Sequence, residues 1–212
     1  MEYEIKNVKI LGEKVIVKYI QNDIEKEFEI LLKTYIEFPF SVGQIIDEKK
    51  YKEIIKIDEK NAIINEAYNH LKRSDLTSDE LSKKLLKKHP NKRVVINKII
   101  NDLKDKNLIN DEQFVLHFIK KGINSFKGLD RIIYELQYKG IDEQIIYQNI
   151  NDDIKEMEKE KAYQLGSKQM RLSKNLEFKK MRDKVYYKLS YAGYNKEIIE
   201  EIMYKLNLIK EI

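Results

Sequence analysis

Over residues 1–31, apolar and polar positions alternate with a period of two. Ile5, Val8 and Ile10 lead to Gly12–Lys14, a turn signal. Val15, Val17 and Tyr19 then alternate with Ile16, Lys18 and Ile20, and Asn22-Asp23 marks a second turn before Glu25–Ile30. Such alternation between turn signals predicts a small antiparallel β-meander. Residues 31–56 read as a short helix, a turn at Ser41–Gly43 and a second helix from about Asp47. From Glu59 the period becomes helical. Ile64, Ala67, Tyr68 and Leu71 make one apolar stripe at i, i+3, i+4, i+7, and helical stretches with short polar breaks continue to the C-terminus.

The helical part repeats itself. An apolar ladder, a stop and a helix start recur as Leu81, Leu85, His89-Pro90-Asn91, Val94-Val95; as Ile132, Leu136, Gly140-Ile141-Asp142, Ile145-Ile146; and as Val185, Leu189, Gly193-Tyr194-Asn195, Ile198-Ile199. Two apolar residues four apart bury one helix face. Gly140 and Gly193 sit where a left-handed residue ends a helix, a conformation glycine adopts freely. Asp142 and Asn195, and Asn91 in the first copy, are placed to cap the next helix. His89 replaces glycine in that first copy, so it either adopts the left-handed conformation at a cost or the turn there differs. Thr77 with Glu80, and Asn110 with Gln113, have capping-box spacing. The predicted fold is therefore mainly α: three tandem three-helix repeats in an elongated array, preceded by a small β-containing N-terminal segment. The expected divisions are 1–56, 57–111, 112–153 and 154–212.

Composition agrees with this organisation. Hydrophobic residues at 42% can fill a core, while 36% charged residues imply much surface, as in an array of small modules. There is no cysteine, which excludes disulfide and thiolate chemistry and fits a reducing compartment. The first fourteen residues have charges spaced through them, and no apolar run approaches the ~20 residues of a membrane span. The expectation is a cytoplasmic monomer without membrane contact. A net charge of +5 permits an anionic partner without demanding one.

Three stretches resemble the RecX family, regulators of the RecA recombinase. The first comprises Tyr68–Ser74, Thr77–Leu81 and Leu85–His89, and the second is Leu103–Phe114. The third, the strongest, is Ser125–Gly128 with Arg131-Ile132, Glu135-Leu136 and Lys139–Ile141. The N-terminal strands and Val42–Asp47 are similar to the extension of longer members. The chain departs from the family pattern at Asn107 and His89, where glycine is usual, and at Val115, where alanine is usual. The resemblance implies a protein that binds RecA filaments on DNA and modulates, most often inhibits, recombinase, ATPase and co-protease activity.

No catalytic constellation accompanies this pattern. His70, His89 and His117 lack metal-site spacing, and there is no phosphate-binding glycine loop. Neither enzyme activity nor a cofactor or metal is expected. Asp47-Glu48 and Asp152-Asp153 read as helix-end charges rather than a nuclease site.

Two basic clusters are the candidate partner-binding residues. Lys83, Lys84, Lys87, Lys88, Lys92 and Arg93 form a run without an anion, spanning a helix end and the next helix start. Arg93 and Lys92 are there disfavoured by the helix dipole. The second runs from Lys168 through Arg171, Lys174, Lys179, Lys180 and Arg182 to Lys184, and is followed by Tyr186, Tyr187 and Tyr191, at least one of them expected in the core. Arg131, matched to the family motif, is a third candidate that can equally lace two helices together, and Ser125 reads as a helix cap. The partner is then a RecA filament, with single- or double-stranded DNA as a further candidate. The competing functions are an autonomous DNA-binding protein of helix–turn–helix-like modules and a purely structural scaffold.

Overall fold

The structure, a computed structural model, describes residues 2–209. It contains three long strands, β1 (Glu2–Leu11), β2 (Lys14–Gln21) and β3 (Ile24–Leu31), as the alternation predicts. Asn22 and Asp23 both have positive φ, 52° and 61°, the requirement of a two-residue hairpin whose twist matches its strands. A short helix, α1 (Leu32–Glu37), leads to a strand that the alternation did not predict, β4 (Ile45–Asp47). β4 pairs antiparallel with the start of β1 and completes a four-stranded sheet of order β3-β2-β1-β4. Three residues are too few to show a period. Its partner is also distant in sequence, so nothing local announces it.

Asp47 caps α2 (Glu48–Leu71) by accepting from the Lys50 N–H at 2.7 Å. The sheet buries Tyr3, Ile5, Val15, Val17, Tyr19, Phe28 and Ile30 on one face, and Tyr51 of α2 stacks on Tyr3 with ring centroids 4.3 Å apart. Asp58 of α2 accepts from the Leu31 N–H at 2.7 Å and the Thr34 hydroxyl at 2.6 Å, and buried Asn61 donates to Thr34 at 3.1 Å. One carboxylate thus supplies the capping acceptor that α1 lacks in its own sequence.

The remaining elements are helices: α3 (Ser78–Lys88), α4 (Arg93–Asp105), α5 (Asp111–Asn124), α6 (Leu129–Tyr138), α7 (Glu143–Gln148), α8 (Asp152–Leu172), α9 (Phe178–Ala192) and α10 (Lys196–Lys205). The chain is thus mainly helical with an N-terminal antiparallel sheet. The ladder residues Leu81, Leu85, Ile132, Leu136, Val185 and Leu189 are all fully buried. The chain divides into two compact units. One holds residues up to Ser74 with Leu81–Asp102; the other holds Asp75–Glu80 with residues from Leu103 onward.

Helix punctuation follows the sequence at most boundaries. Gly140 and Gly193 have φ of 75° and 88° just past α6 and α9. Asn110, Asp142 and Asn195 accept from first-turn amides, and Thr77 and Glu80 exchange both capping bonds. Asn107, where the family resemblance expects glycine, takes the left-handed conformation itself at φ 53°. The first repeat copy departs from expectation. His89 is not left-handed, Asn91 makes no capping bond, and α4 begins at Arg93 after a turn closed by Lys92 N–H on the His89 carbonyl. Without a left-handed residue the reversal takes one residue more. The buried face of α4 is therefore Ile96, Ile99, Ile100 and Leu103, while Val94 is 85% exposed.

In the second unit one joint is built twice. The Ser78 N–H, first of α3, donates to Asp111 of α5 at 2.9 Å, and the Ser78 hydroxyl adds a bond of 2.6 Å. The Leu129 N–H, first of α6, donates to Glu158 of α8 at 2.6 Å. Beside each, a glycine turn seats on the same helix start. The Thr77 hydroxyl donates to the Lys139 carbonyl at 2.8 Å, and the Gly128 N–H donates to the Ala192 carbonyl at 2.9 Å. The space is fully used: a Cβ on Gly128 would lie 2.1 Å from the Gly193 carbonyl oxygen, and one on Gly193 would lie 2.3 Å from the Arg131 Cβ.

The two carboxylates differ electrostatically. Burial raises Asp111, but the bonded Lys104 ammonium (2.8 Å) and the Ser78 donors outweigh it, so its pKa falls. Glu158 is 2% exposed, and its burial, reinforced by the Asp130 charge, outweighs the Leu129 bond and the Lys159 charge. Its pKa is pushed up to about 7. Lys159 is itself committed to Glu201 at 2.8 Å. Burial and the Glu158 charge together push the neighbouring Tyr194 phenol up.

Two outcomes follow from the joint. Gly128 has φ −75°, open to any residue, so Gly128→Ala tests space alone; overpacking against backbone should destabilise by ~1–3 kcal/mol. An unchanged denaturant midpoint would contradict the close approach. Glu158 has a folded-state pKa above its ordinary 4.5, so its contribution to stability is complete below pH 4.5 and is lost as pH rises through about 7. Glu158→Gln keeps an acceptor for Leu129 and should remove that loss, gaining up to ~3 kcal/mol at pH 8 and little at pH 4.5. The window is separate from that of Glu66, Asp111, Glu135 and Glu201, whose lowered pKa values withdraw stability only as the solution becomes more acidic. Denaturation at both pH values with equal gains would contradict the assignment.

Candidate functional site

The first basic cluster lies on α3, the turn after it, and the start of α4. Its cations are not equivalent. Lys88 reaches Glu66 at 3.1 Å and Lys92 pairs with Glu59 of α2. Lys84, Lys87 and Arg93 are exposed and have no charged or hydrogen-bonding partner among the described residues, whereas Lys83 is engaged within the chain. Leu81 and Leu85 turn inward, so Lys87 falls on the opposite side of α3 and Lys84 on its flank.

Glu66 gathers more than Lys88. His89 meets it at 3.0 Å and His70 lies 3.7 Å away, one turn along α2. Burial raises the Glu66 pKa, but hydrogen bonds from His89 and Lys88, with their charges, bring it below the ordinary value. Two histidines far apart in sequence thus share one carboxylate, which their spacing could not reveal. His117 is exposed elsewhere. Among the described residues no group of three or more His, Cys, Asp or Glu could hold a metal ion, and no helix is long and apolar enough to cross a membrane.

The second cluster runs from the end of α8 through the 173–177 loop into α9. Lys174, Lys179 and Lys184 are exposed without a partner among the described residues, as are Lys168 and Arg171. Arg182 is bound to Asp183 at 3.0 Å, and Lys180 stands 4.0 Å from Glu177 with both side chains about 70% exposed, a pair of little energetic weight. The expectation of a core tyrosine among Tyr186, Tyr187 and Tyr191 is corrected. All three are exposed, the last at 80%, because Val185, Leu189 and Ala192 form the buried stripe. In this region the buried tyrosine is instead Tyr194, beyond the turn after α9. Lys188, between Tyr187 and Tyr191, adds an exposed cation that the charge run does not announce because tyrosines surround it.

Arg131 bonds along its own helix, to Glu135 at 3.1 Å, and does not lace two helices by charge. Lys127 joins the same carboxylate at 2.6 Å. Burial raises Glu135, but these two cations overcome it and lower its pKa. The stem of Arg131 instead serves packing, since its Cβ faces Gly193. Ser125 ends α5, its hydroxyl donating to the Lys121 carbonyl at 2.9 Å.

Known proteins resemble this arrangement at the level of structure. No family model and no curated protein sequence matches the chain. A crystal structure of regulatory protein RecX superposes with a TM-score of 0.73 at 22% identity, covering 94% of this chain and 98% of that one. RecX from Lactobacillus salivarius superposes with a TM-score of 0.66 at 27% identity, covering 72% of this chain and 99% of that one. The shared architecture joins the three sequence stretches that carry the resemblance, Tyr68–His89, Leu103–Phe114 and Ser125–Ile141. In fold and in these stretches the chain is similar to RecX proteins.

Proposed function

We propose that this protein is a regulator that binds RecA nucleoprotein filaments and limits their recombinase, ATPase and co-protease activity, acting in the control of homologous recombination, DNA repair and the SOS response. The observation that carries the reading is the likeness to RecX crystal structures along nearly the whole chain, one of them described as a regulatory protein. The residues we assign to the filament interface are the unpaired cations: Lys84, Lys87 and Arg93 on α3–α4, and Lys174, Lys179 and Lys184 around the start of α9. A filament on DNA offers phosphates and protein carboxylates, and exposed cations can engage either without breaking internal pairs. Arg131, Lys88, Lys92, Lys180 and Arg182 are assigned a lesser part because each already has a carboxylate.

We also propose that the helices of 57–111, 112–153 and 154–212 are three copies of one three-helix unit. The recurrence of the same joint, Ser78 on Asp111 and Leu129 on Glu158, supports this, as does the buried ladder common to α3, α6 and α9. The protein acts in this reading as a monomer in the cytoplasm.

The test is RecA ATPase on single-stranded DNA, titrated with wild type and with Lys84→Glu/Lys87→Glu/Arg93→Glu. Exposed substitutions should leave stability within ~0.5 kcal/mol. Inhibition should weaken, most at low salt, with the difference shrinking as screening grows. Full inhibition by this variant and by the matching Lys174/Lys179/Lys184 reversal, both folded by circular dichroism, would remove the electrostatic part. No effect of the wild type on its cognate RecA would remove the function.

A further inference from the structure

A cleft of about 530 Å³ opens in the second unit, lined by the α5–α6 turn, the α8 face and the end of α9. That size is within the range of small-ligand sites, ~300–1,000 Å³. Its lining carries four cations, Lys127, Arg131, Lys168 and Lys188, and no carboxylate. Lys127 and Arg131 share Glu135, so two positive charges meet one negative there. Lys168 and Lys188 have no partner among the described residues. The local balance is therefore a surplus of about three positive charges facing one concave space.

The apolar part of the lining is aromatic at two points. Tyr191 is 80% exposed, so its ring contributes little to the core and presents its face to solvent. Phe126 occupies an unusual conformation. Among the described residues five helix ends use a left-handed residue: Asn107, Gly140, Gly193 and Asn207 are of the types suited to it, and the fifth is Phe126, at φ 61°. A bulky side chain there is strained by ~1–2 kcal/mol. Such strain persists where the surrounding structure holds it, and concentrates at ligand sites. Phe126 packs against the core of α8–α10 on one side and holds a cation, Lys161, 5.6 Å from its ring centroid. Its position also places it in the cleft lining with Tyr191.

An unpaired cation surplus beside the exposed Tyr191 ring, with half-buried Phe126 in the same lining, suits a ligand that joins a planar ring to a phosphate. We propose that this cleft is a nucleotide-binding site, with the base on the open face of Tyr191, Phe126 shaping the apolar wall, and the phosphate on Lys168 and Lys188. It goes beyond the filament reading, because it needs no RecA. Its chemistry is shared by a free nucleotide and by one unit of a single strand. An acidic protein segment would satisfy the cations but would leave the exposed Tyr191 ring unused.

The test uses the full chain alone, with a fluorescent short oligothymidylate followed by anisotropy, and with AMP and dTMP as competitors. Wild type should bind, and the slope of log affinity against log salt should be shallower by about 0.7 for each phosphate no longer neutralised in Lys168→Glu and Lys188→Glu. Tyr191→Ala should weaken binding about tenfold and Tyr191→Phe should restore it, since the stacked face is what matters. Displacement of the oligonucleotide by millimolar mononucleotide or less assigns the site to free nucleotides. Binding of the strand without such displacement assigns it to a strand. Either supports the nucleotide chemistry. Three results overturn it: no binding up to millimolar ligand, equal binding by folded Lys168→Glu/Lys188→Glu and Tyr191→Ala, or an oligoglutamate peptide that binds as tightly as the strand and is released by the same lysine substitutions. RecA ATPase inhibition, measured on the same variants, reports separately on the filament reading.

Discussion

The constraint on which the second unit depends is a first helix amide that its own helix leaves without an acceptor. The first amides of a helix have no partner within it. Here the first amides of α3 and α6 are satisfied by carboxylates from later helices, Asp111 of α5 and Glu158 of α8. A carboxylate at that end also favours the helix dipole. Each bond fixes one helix start against a later helix, and a glycine turn, Lys139-Gly140 or Ala192-Gly193, closes onto the same start. Polar satisfaction and steric closeness therefore reinforce each other: the bonds form only where the turn approaches, and the turn approaches only where a side chain is absent.

The surface follows from this internal order. Once the ladders Leu81–Leu85, Ile132–Leu136 and Val185–Leu189 face inward, the residues two positions on must face out. On α3 these are Lys83 and Lys87; on α6 Tyr134 and Tyr138; on α9 Tyr187 and Tyr191. The same backbone register thus presents cations in one place and tyrosines in the others, with the tyrosines 69–82% exposed. Cations that reach a carboxylate, such as Arg131 and Lys92, are neutralised within the chain. Those that do not remain available for an anionic partner.

Much of this was legible in the residues. The strands of the meander, the helical period, the caps at Thr77, Asn110, Asp142 and Asn195, and the left-handed glycines all depend on neighbours in sequence, and sequence carries such information directly. What was not legible depends on distant partners. β4 is a strand only because β1 lies beside it. The first repeat copy slips by one residue because His89 does not take the left-handed turn. Glu158 and Asp111 look like two surface acids among many, and only the approach of Leu129 and Ser78 gives them a role. Tyr194 and Tyr191, three residues apart, end on opposite sides of a burial boundary that the turn at Gly193 decides.

Amide hydrogen exchange tests the joint most directly. The first amide of a helix ordinarily exchanges fast, since no helical carbonyl protects it. If Asp111 and Glu158 hold the starts of α3 and α6, the amides of Ser78 and Leu129 should exchange far more slowly than that of Lys196, the first residue of α10. Glu158→Ala should release Leu129 and leave Ser78 protected. Exchange of Ser78 and Leu129 at the Lys196 rate in the wild-type protein would contradict the account.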